Sequence, residues 1–138
     1  MCIRDRANAE KYDVANRITF EQCSCLSNFE YFQHAKNQFS AIVSNPPYVP
    51  TSVIEELPEN VRRFEPMVAL DGGADGLGIF REIVLEGRTL LDVGGLMLLE
   101  LHETCLEIAK EFAIEAGLNN VSIMKDLAGK NRYLAAVA

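Results

Sequence analysis

The fold of this chain is decided by the stretch FSAIVSNPPY, residues 39–48. Its apolar first part predicts a buried β-strand at 41–45. The turn Asn45-Pro46-Pro47-Tyr48 then lies at the carboxyl end of that strand, which is the edge where open α/β sheets bind ligands. Neither proline has an N–H group, so the turn carries carbonyl oxygens that the prolines cannot satisfy. The turn can therefore direct the Asn45 side-chain oxygen and the Pro46 carbonyl oxygen toward one planar –NH2 group, with Tyr48 against its flat face.

The turn resembles the [N/D]-P-P-[Y/F] motif of amino methyltransferases, which use S-adenosylmethionine to methylate exocyclic or amide nitrogens. Such a nitrogen is a poor nucleophile because its lone pair is delocalised. Two acceptors that hold its hydrogens would orient it and favour the positive charge that develops during methyl transfer. The alternative is a proline-rich turn that only closes a strand, with Tyr48 as packing.

The composition argues against several other classes of function. The chain has 138 residues, 49% of them hydrophobic and 24% charged, as expected for one globular domain. Its net charge of −7 argues against direct binding of nucleic acid, and no apolar run has membrane-spanning length. The four cysteines lack metal-binding spacing, and His34 and His102 have no evident partner, so we predict no metal site. A reduced, cytoplasmic protein is expected.

Helical and strand-like segments alternate along the chain. Residues 7–15 are typical of a helix end, 17–22 of a strand and 26–38 of a loop or irregular helix, while 50–75 has no sustained periodicity. The next element predicted is a helix capped by Asp75 and broken by Gly94-Gly95, with one face formed by Leu77, Phe80, Ile83, Val84 and Leu91. A strand at 96–101 follows, and then a second helix that stops at Gly117 and has one face formed by Leu106, Ala109, Phe112, Ala113 and Ala116. Strands are predicted at 121–124 and 133–137. This order, with a terminal hairpin, indicates a doubly wound α/β sheet.

Two further segments make the resemblance more specific. Residues 63–77 read RFEPMVALDGGADGL, and residues 125–132 read KDLAGKNR. Together with the Asn-Pro-Pro-Tyr turn, they are similar to the post-motif segment and the final hairpin of the HemK/PrmC family of protein-(glutamine-N5) methyltransferases. The similarity runs from about residue 7 to the C-terminus.

The resemblance implies a function and a set of site residues. The fold would be the class I, Rossmann-like sheet of S-adenosylmethionine-dependent methyltransferases, and the substrate the Gly-Gly-Gln glutamine of peptide chain release factors. Asn45 and Pro46 would bind the amide at the catalytic centre, Pro47 and Tyr48 would shape and cover the substrate site, and Asn45 would also contact the cofactor. Glu100 is a weak candidate, since it could face the ligand crevice or cap the next helix. The alternatives are a ribosomal-protein glutamine methyltransferase, a DNA adenine-N6 methyltransferase and an inactive fragment.

Parts of the family pattern are missing from the chain. No glycine-rich cofactor loop precedes residue 45, and the N-terminal helical domain that engages the release factor has no counterpart. We therefore expect the C-terminal part of a catalytic domain over residues 7–138, inactive by itself, with residues 1–6 as a non-native leader. Cys23-Ser24-Cys25 stands where the family usually has an acidic residue near the adenine, and Ser40 occupies a position that is commonly Asp. Such a chain would expose an apolar sheet edge, be marginally stable and self-associate.

The glycines of the post-motif segment have two interpretations. Gly72, Gly73 and Gly76 either serve the chemistry directly or only permit turns with positive φ. Asp75 either acts at the site or caps a helix. We favour the structural role for all four.

Overall fold

The structure, a computed structural model, describes residues 2–23, 26 and 38–138. Its regular elements are α1 (Cys2–Lys11), β1 (Phe39–Ser44), α2 (Glu59–Phe64), α3 (Gly78–Leu90), β2 (Leu91–Glu100), α4 (Leu106–Glu115), β3 (Asn119–Lys125) and β4 (Asn131–Val137). The irregular segment predicted at 26–38 lies, apart from its two end residues, outside the described residues. Among the described residues, no helix is long and apolar enough to cross a membrane.

The strands form one mixed sheet in the order β1-β2-β4-β3. β1 runs parallel to β2, whereas β4 is antiparallel to both β2 and β3. The chain is thus an α/β protein, and the strands predicted around 41–45, 96–101, 121–124 and 133–137 are present. Because β1 and β2 are parallel, their carboxyl ends meet at the same edge of the sheet.

One face of the sheet packs against α3 and α4 and forms the core. Apolar residues three and four positions apart give each helix a buried stripe. In α3 these are Phe80, Ile83, Val84, Gly87 and Leu90; in α4 they are Leu106, Ala109 and Ala113. Met97, Leu99, Leu134 and Ala136 come from the sheet. The predicted faces of both helices are therefore confirmed, with the exception of Leu91.

The opposite face of the sheet is apolar and open to solvent. Val43 in β1 is 73% exposed and Leu96 in β2 is 58% exposed. The register places Ala41 beside Leu96 and Val43 beside Leu98, so these side chains form a continuous strip. Within the described residues, β1 is also an edge strand of the sheet.

The strand predicted over 17–22 is not formed. Ala15–Arg17 is a short 3-10 helix, and residues 18–23 have no regular secondary structure. An extended segment becomes a strand only when a neighbour accepts its backbone hydrogen bonds, and no strand of the described sheet pairs with it. Instead, Phe20 contacts α1, whose Arg6 guanidinium lies 5.0 Å from its ring centroid.

Leu91 and Gly94-Gly95 were also predicted wrongly. The third helix ends at Leu90, so the buried Leu91 begins β2 and does not belong to the helix face. The two glycines do not end a helix but lie within β2, where the pairing jumps from Phe39–Leu91 to Ala41–Leu96. Gly94 has a φ of 81°, and its N–H donates to the Ala138 carbonyl at 3.1 Å. The pair therefore forms a bulge, a common role for glycine in strands.

The long segment between β1 and α3 is ordered by short helices. Thr51–Glu56 and Met67–Ala69 are 3-10 helices that flank α2. Each is a single turn or two, which is too short for the hydrophobic periodicity that reveals longer helices. The segment therefore folds into a scaffold beside the carboxyl end of β1.

Candidate active site

The Asn-Pro-Pro-Tyr turn leaves the sheet at the carboxyl end of β1, as predicted. Asn45 is exposed, Pro46 is buried, and Pro47 and Tyr48 are half-buried. The turn thus combines a fixed proline body with a solvent-accessible amide side chain. Such a pair can present hydrogen-bond acceptors to an incoming group without a large entropic cost.

The post-motif segment holds this turn through backbone hydrogen bonds. The Val49 N–H donates to the Leu70 carbonyl at 2.9 Å, and the Gly72 N–H donates to the Val49 carbonyl at 2.8 Å. Val49 and Asp71 form an isolated parallel bridge. The turn and the post-motif segment, two of the three segments that carried the family resemblance, are therefore one structural unit.

Two glycines allow this close approach. A Cβ at Gly72 would lie 2.8 Å from both the Pro47 oxygen and the Tyr48 Cα. A Cβ at Gly76 would collide with the Tyr48 carbonyl oxygen, and Gly76 has a φ of 76°. Gly73 also has a positive φ of 88°, whereas Gly72 is required for space and not for its dihedral angle. The structural interpretation of the three glycines agrees with this geometry.

Asp71 and Asp75 fix the segment from within. The Thr51 hydroxyl and the Gly73 N–H donate to Asp71 Oδ1 at 2.7 and 2.9 Å. These bonds, the hydroxyl first, hold the pKa of Asp71 below its usual value.

Asp75 accepts two hydrogen bonds from the Arg81 guanidinium and one from the Leu77 N–H. Arg81 is the main reason that the pKa of Asp75 falls to about 2. The prediction that Asp75 caps this helix is therefore wrong, because Leu77 is the N-cap of α3. Asp75 instead accepts the N–H of Leu77 and binds Arg81, one turn inside the helix.

The end of β2 lies beside the turn. Ser44 pairs with Leu99, so the next residues along the two parallel strands are Asn45 and Glu100. Glu100 is half-buried and also pairs with Tyr133 of β4. The weak candidate Glu100 is therefore placed at the same sheet edge as Asn45.

His102 is a neighbour of the turn that the sequence did not reveal. Its ring centroid lies 6.3 Å from that of Tyr48, with the two ring planes 40° apart. Its Nδ1 is 2.8 Å from the Thr104 hydroxyl. The sequence position of His102 could have pointed to it, because His102 comes shortly after the end of β2, the strand next to β1. His34 lies outside the described residues.

Cys105 is poorly suited to act as a nucleophile, and the described residues form no cluster that could hold a metal ion. Burial raises the pKa of the Cys105 thiol, and its Sγ donates to the His102 carbonyl at 3.2 Å. No group of three or more His, Cys, Asp or Glu side chains in this part of the chain is placed to hold a metal ion. The polar groups at the sheet edge are suited to hydrogen bonding and orientation.

Comparison with known proteins finds relatives that are named methyltransferases. No protein-family profile matches it. A release factor glutamine methyltransferase from Thermosynechococcus vestitus is 35% identical over 132 residues, which cover 95% of this chain. The Clostridium botulinum protein of the same name is 38% identical over 135 residues, or 97% of the chain. A further relative of that name, from Geobacter sulfurreducens, is 50% identical over 94 residues, or 68% of the chain.

The chain is homologous to release factor glutamine methyltransferases over about 95% of its own length. The family resemblance stated from the sequence is thereby confirmed. The chain spans only part of the length of these relatives: 44% of the Thermosynechococcus vestitus protein, 42% of the Clostridium botulinum protein and 31% of the Geobacter sulfurreducens protein. The roles of Asn45, Pro46, Pro47, Tyr48 and Glu100 remain predictions.

Proposed function

We propose that these residues form the amide-binding part of a methyltransferase that modifies the Gly-Gly-Gln glutamine of peptide chain release factors. The observation that carries the proposal is the Asn-Pro-Pro-Tyr turn, which the post-motif segment fixes at the edge shared by β1 and β2. The names of the relatives support the reaction and the substrate. The C-terminal strand β4, antiparallel beside β2, supports a class I methyltransferase sheet. A protein that acts on translation factors is expected in the cytoplasm.

Each residue of the turn has a distinct role in this proposal. The Asn45 side-chain oxygen and the Pro46 carbonyl accept the two hydrogens of the glutamine amide and aim its nitrogen. They also stabilise the positive charge that forms on this nitrogen, which loses a proton after transfer. Pro47 shapes the site, and the Tyr48 ring covers the amide plane with His102 behind it. Glu100 contributes negative potential at the same edge.

The described residues do not complete a site for the methyl donor. S-adenosylmethionine would supply an electrophilic methyl group, and Asn45 is the residue expected to contact both donor and amide. The strand predicted over 17–22, which precedes the position near the adenine, is not formed. We therefore assign to this chain the binding and orientation of the amide, and expect the isolated chain not to transfer methyl groups.

A DNA adenine methyltransferase is the weaker candidate. Such an enzyme needs a basic surface for the phosphates of its substrate. The net charge is −7, and Arg62, Arg63, Arg81 and Arg132 each form an ion pair with an acidic side chain. The same turn is therefore better suited to a protein amide.

A chimera tests the proposal directly. Residues 39–138 would replace the matching segment of the Thermosynechococcus vestitus relative, and transfer of tritiated methyl would be measured to a release factor, a ribosomal protein and duplex DNA. We expect label on the release factor alone, lost when its Gly-Gly-Gln glutamine is replaced by alanine. Leu127→Ser, at an exposed hairpin residue, is the matched control and should leave transfer unchanged. Label on DNA, or none from a folded chimera, would contradict the proposal.

A further inference from the structure

A groove opens next to the Asn-Pro-Pro-Tyr turn. It has a volume of about 470 Å³ and is lined by Pro47, Met67, Val68, Asp71 and Ile79. We call it the Pro47 groove. Pro47 belongs both to the groove and to the turn, so whatever fills the groove lies beside the bound amide.

The rim of the groove is unusually apolar for a surface. Val68 is 81% exposed and Met67 is 58% exposed. Single exposed apolar side chains are ordinary, but a cluster beside a binding site marks a contact surface.

One polar group is fixed in this apolar lining. Asp71 Oδ1 is engaged by the Thr51 hydroxyl and the Gly73 N–H. Among the described residues, the second oxygen, Oδ2, accepts no hydrogen bond. The low pKa of Asp71 keeps the carboxylate ionised at neutral pH. The groove therefore offers apolar contact together with one oriented acceptor.

An extended peptide has the matching chemistry. It carries an N–H donor at each residue and can place an apolar side chain into a groove of this kind. Consecutive Cα atoms are about 3.8 Å apart, so Pro47 lies within about 7.6 Å of Asn45 along the chain. Because two glycines precede the target glutamine in Gly-Gly-Gln, the side chain that reaches the groove would belong to one of the two residues after it.

We propose that the Pro47 groove binds an apolar side chain of the substrate protein next to the target glutamine, with Asp71 accepting a backbone N–H of that segment. The inference rests on the proposed function, since it uses the amide site to place the substrate chain. It makes Met67 and Val68 determinants of substrate specificity, and Asp71 a contact to the substrate backbone that does not depend on the substrate sequence. A nucleic acid is disfavoured as the occupant because the carboxylate would repel its phosphates.

Peptide binding to the full chain, followed by NMR, tests the groove. Peptides of equal length carry a central Gly-Gly-Gln with leucine at the first or the second position after the glutamine, and a reference peptide has serine at both positions. At the correct position, leucine should tighten binding about tenfold, as expected for partial burial of one apolar side chain. The backbone signals of Met67, Val68 and Ile79 should shift.

Variants assign the effect to the groove. Val68→Ser should reduce the leucine preference to about twofold. Asp71→Asn should weaken all peptides alike, while Leu127→Ser should change nothing. A leucine preference that survives in Val68→Ser, or peptides that leave the groove signals unmoved, would overturn the proposal. Groove signals that depend on protein concentration alone would instead identify a second copy of the chain as the occupant.

The same peptides separate this inference from the proposed function. If the amide site is correct, replacing the central glutamine by alanine should weaken peptide binding, whether or not the peptide carries leucine. This weakening should disappear when the protein lacks the Asn45 side chain. If glutamine and alanine peptides bind equally while the leucine preference still depends on Val68, the groove stands and the amide site fails. If the glutamine preference is present without a leucine preference, the groove fails and the amide site stands.

Discussion

Gly76→Ala tests whether the post-motif segment supports the Asn-Pro-Pro-Tyr turn by direct contact. Gly76 has a φ of 76°, and a Cβ there would collide with the Tyr48 carbonyl oxygen and lie 3.2 Å from the Tyr48 carbonyl carbon. The left-handed conformation costs alanine about 1–2 kcal/mol. Overpacking against fixed backbone costs about 1–3 kcal/mol more. Gly76→Ala should therefore lower the free energy of unfolding by about 2–5 kcal/mol.

Gly129→Ala is the matched control. Gly129 has a φ of 80°, and a Cβ there would meet nothing within 4 Å. Its replacement should cost only the conformational term, about 1–2 kcal/mol. The difference between the two variants isolates the contact with Tyr48.

Urea unfolding followed by circular dichroism measures this difference. With a slope of about 1–3 kcal/mol/M, the midpoint of Gly76→Ala should lie about 1 M below that of Gly129→Ala. A Gly76→Ala chain already unfolded in water, beside a folded Gly129→Ala chain, would agree in direction. Equal midpoints would show that the contact with Tyr48 is not under strain and that the segment does not brace the turn.

Three further predictions concern charge, association and the methyl donor. Asp75→Asn should lower stability at neutral pH by less than about 1 kcal/mol, because the ion pair is exposed. Arg81 lowers the pKa of Asp75 to about 2, so the stabilisation is present above the pKa near 3.8 of the unfolded chain and is lost as the pH falls toward 2. A difference in stability between wild type and variant that grows in acid would contradict this. Sedimentation equilibrium should show that the isolated chain self-associates, and that the double variant Val43→Ser/Leu96→Ser associates less. Ile108→Ser, at a residue of similar exposure on α4, is the control and should not reduce association. A monomeric wild-type chain would count against this prediction. Calorimetric titration of S-adenosylmethionine into the folded chain should give no binding heat, and micromolar binding would mean that the donor site forms without a glycine-rich loop.

The sequence predicted those parts of the fold in which local pattern and packing agree. The stripe of Leu106, Ala109 and Ala113 and the stop at Gly117, which has a φ of 90°, identified α4 closely. The apolar run before Asn45 identified β1 for the same reason. In both places, the residue that ends the element is chemically distinctive.

The errors arose where tertiary pairing decides the outcome. The segment from Arg17 to Gln22 has strand-like residues but no partner strand among the described residues, so its pattern is not realised. Gly94-Gly95 looks like a helix break, yet the Ala138 backbone turns it into a bulge. The space requirement of Gly72 and the contact between His102 and Tyr48 arise only when separate segments meet.

The most direct test of the amide site is the rate of methyl transfer by the chimera before and after Asn45→Ala. Asn45 is exposed, so its side chain can be removed without disturbing the core. If it accepts a hydrogen of the glutamine amide as the nitrogen becomes positive, kcat should fall about 100- to 1,000-fold, with a smaller change in KM. A kcat unchanged by Asn45→Ala in a folded chimera would contradict the assignment of the Asn-Pro-Pro-Tyr turn as the amide-binding site.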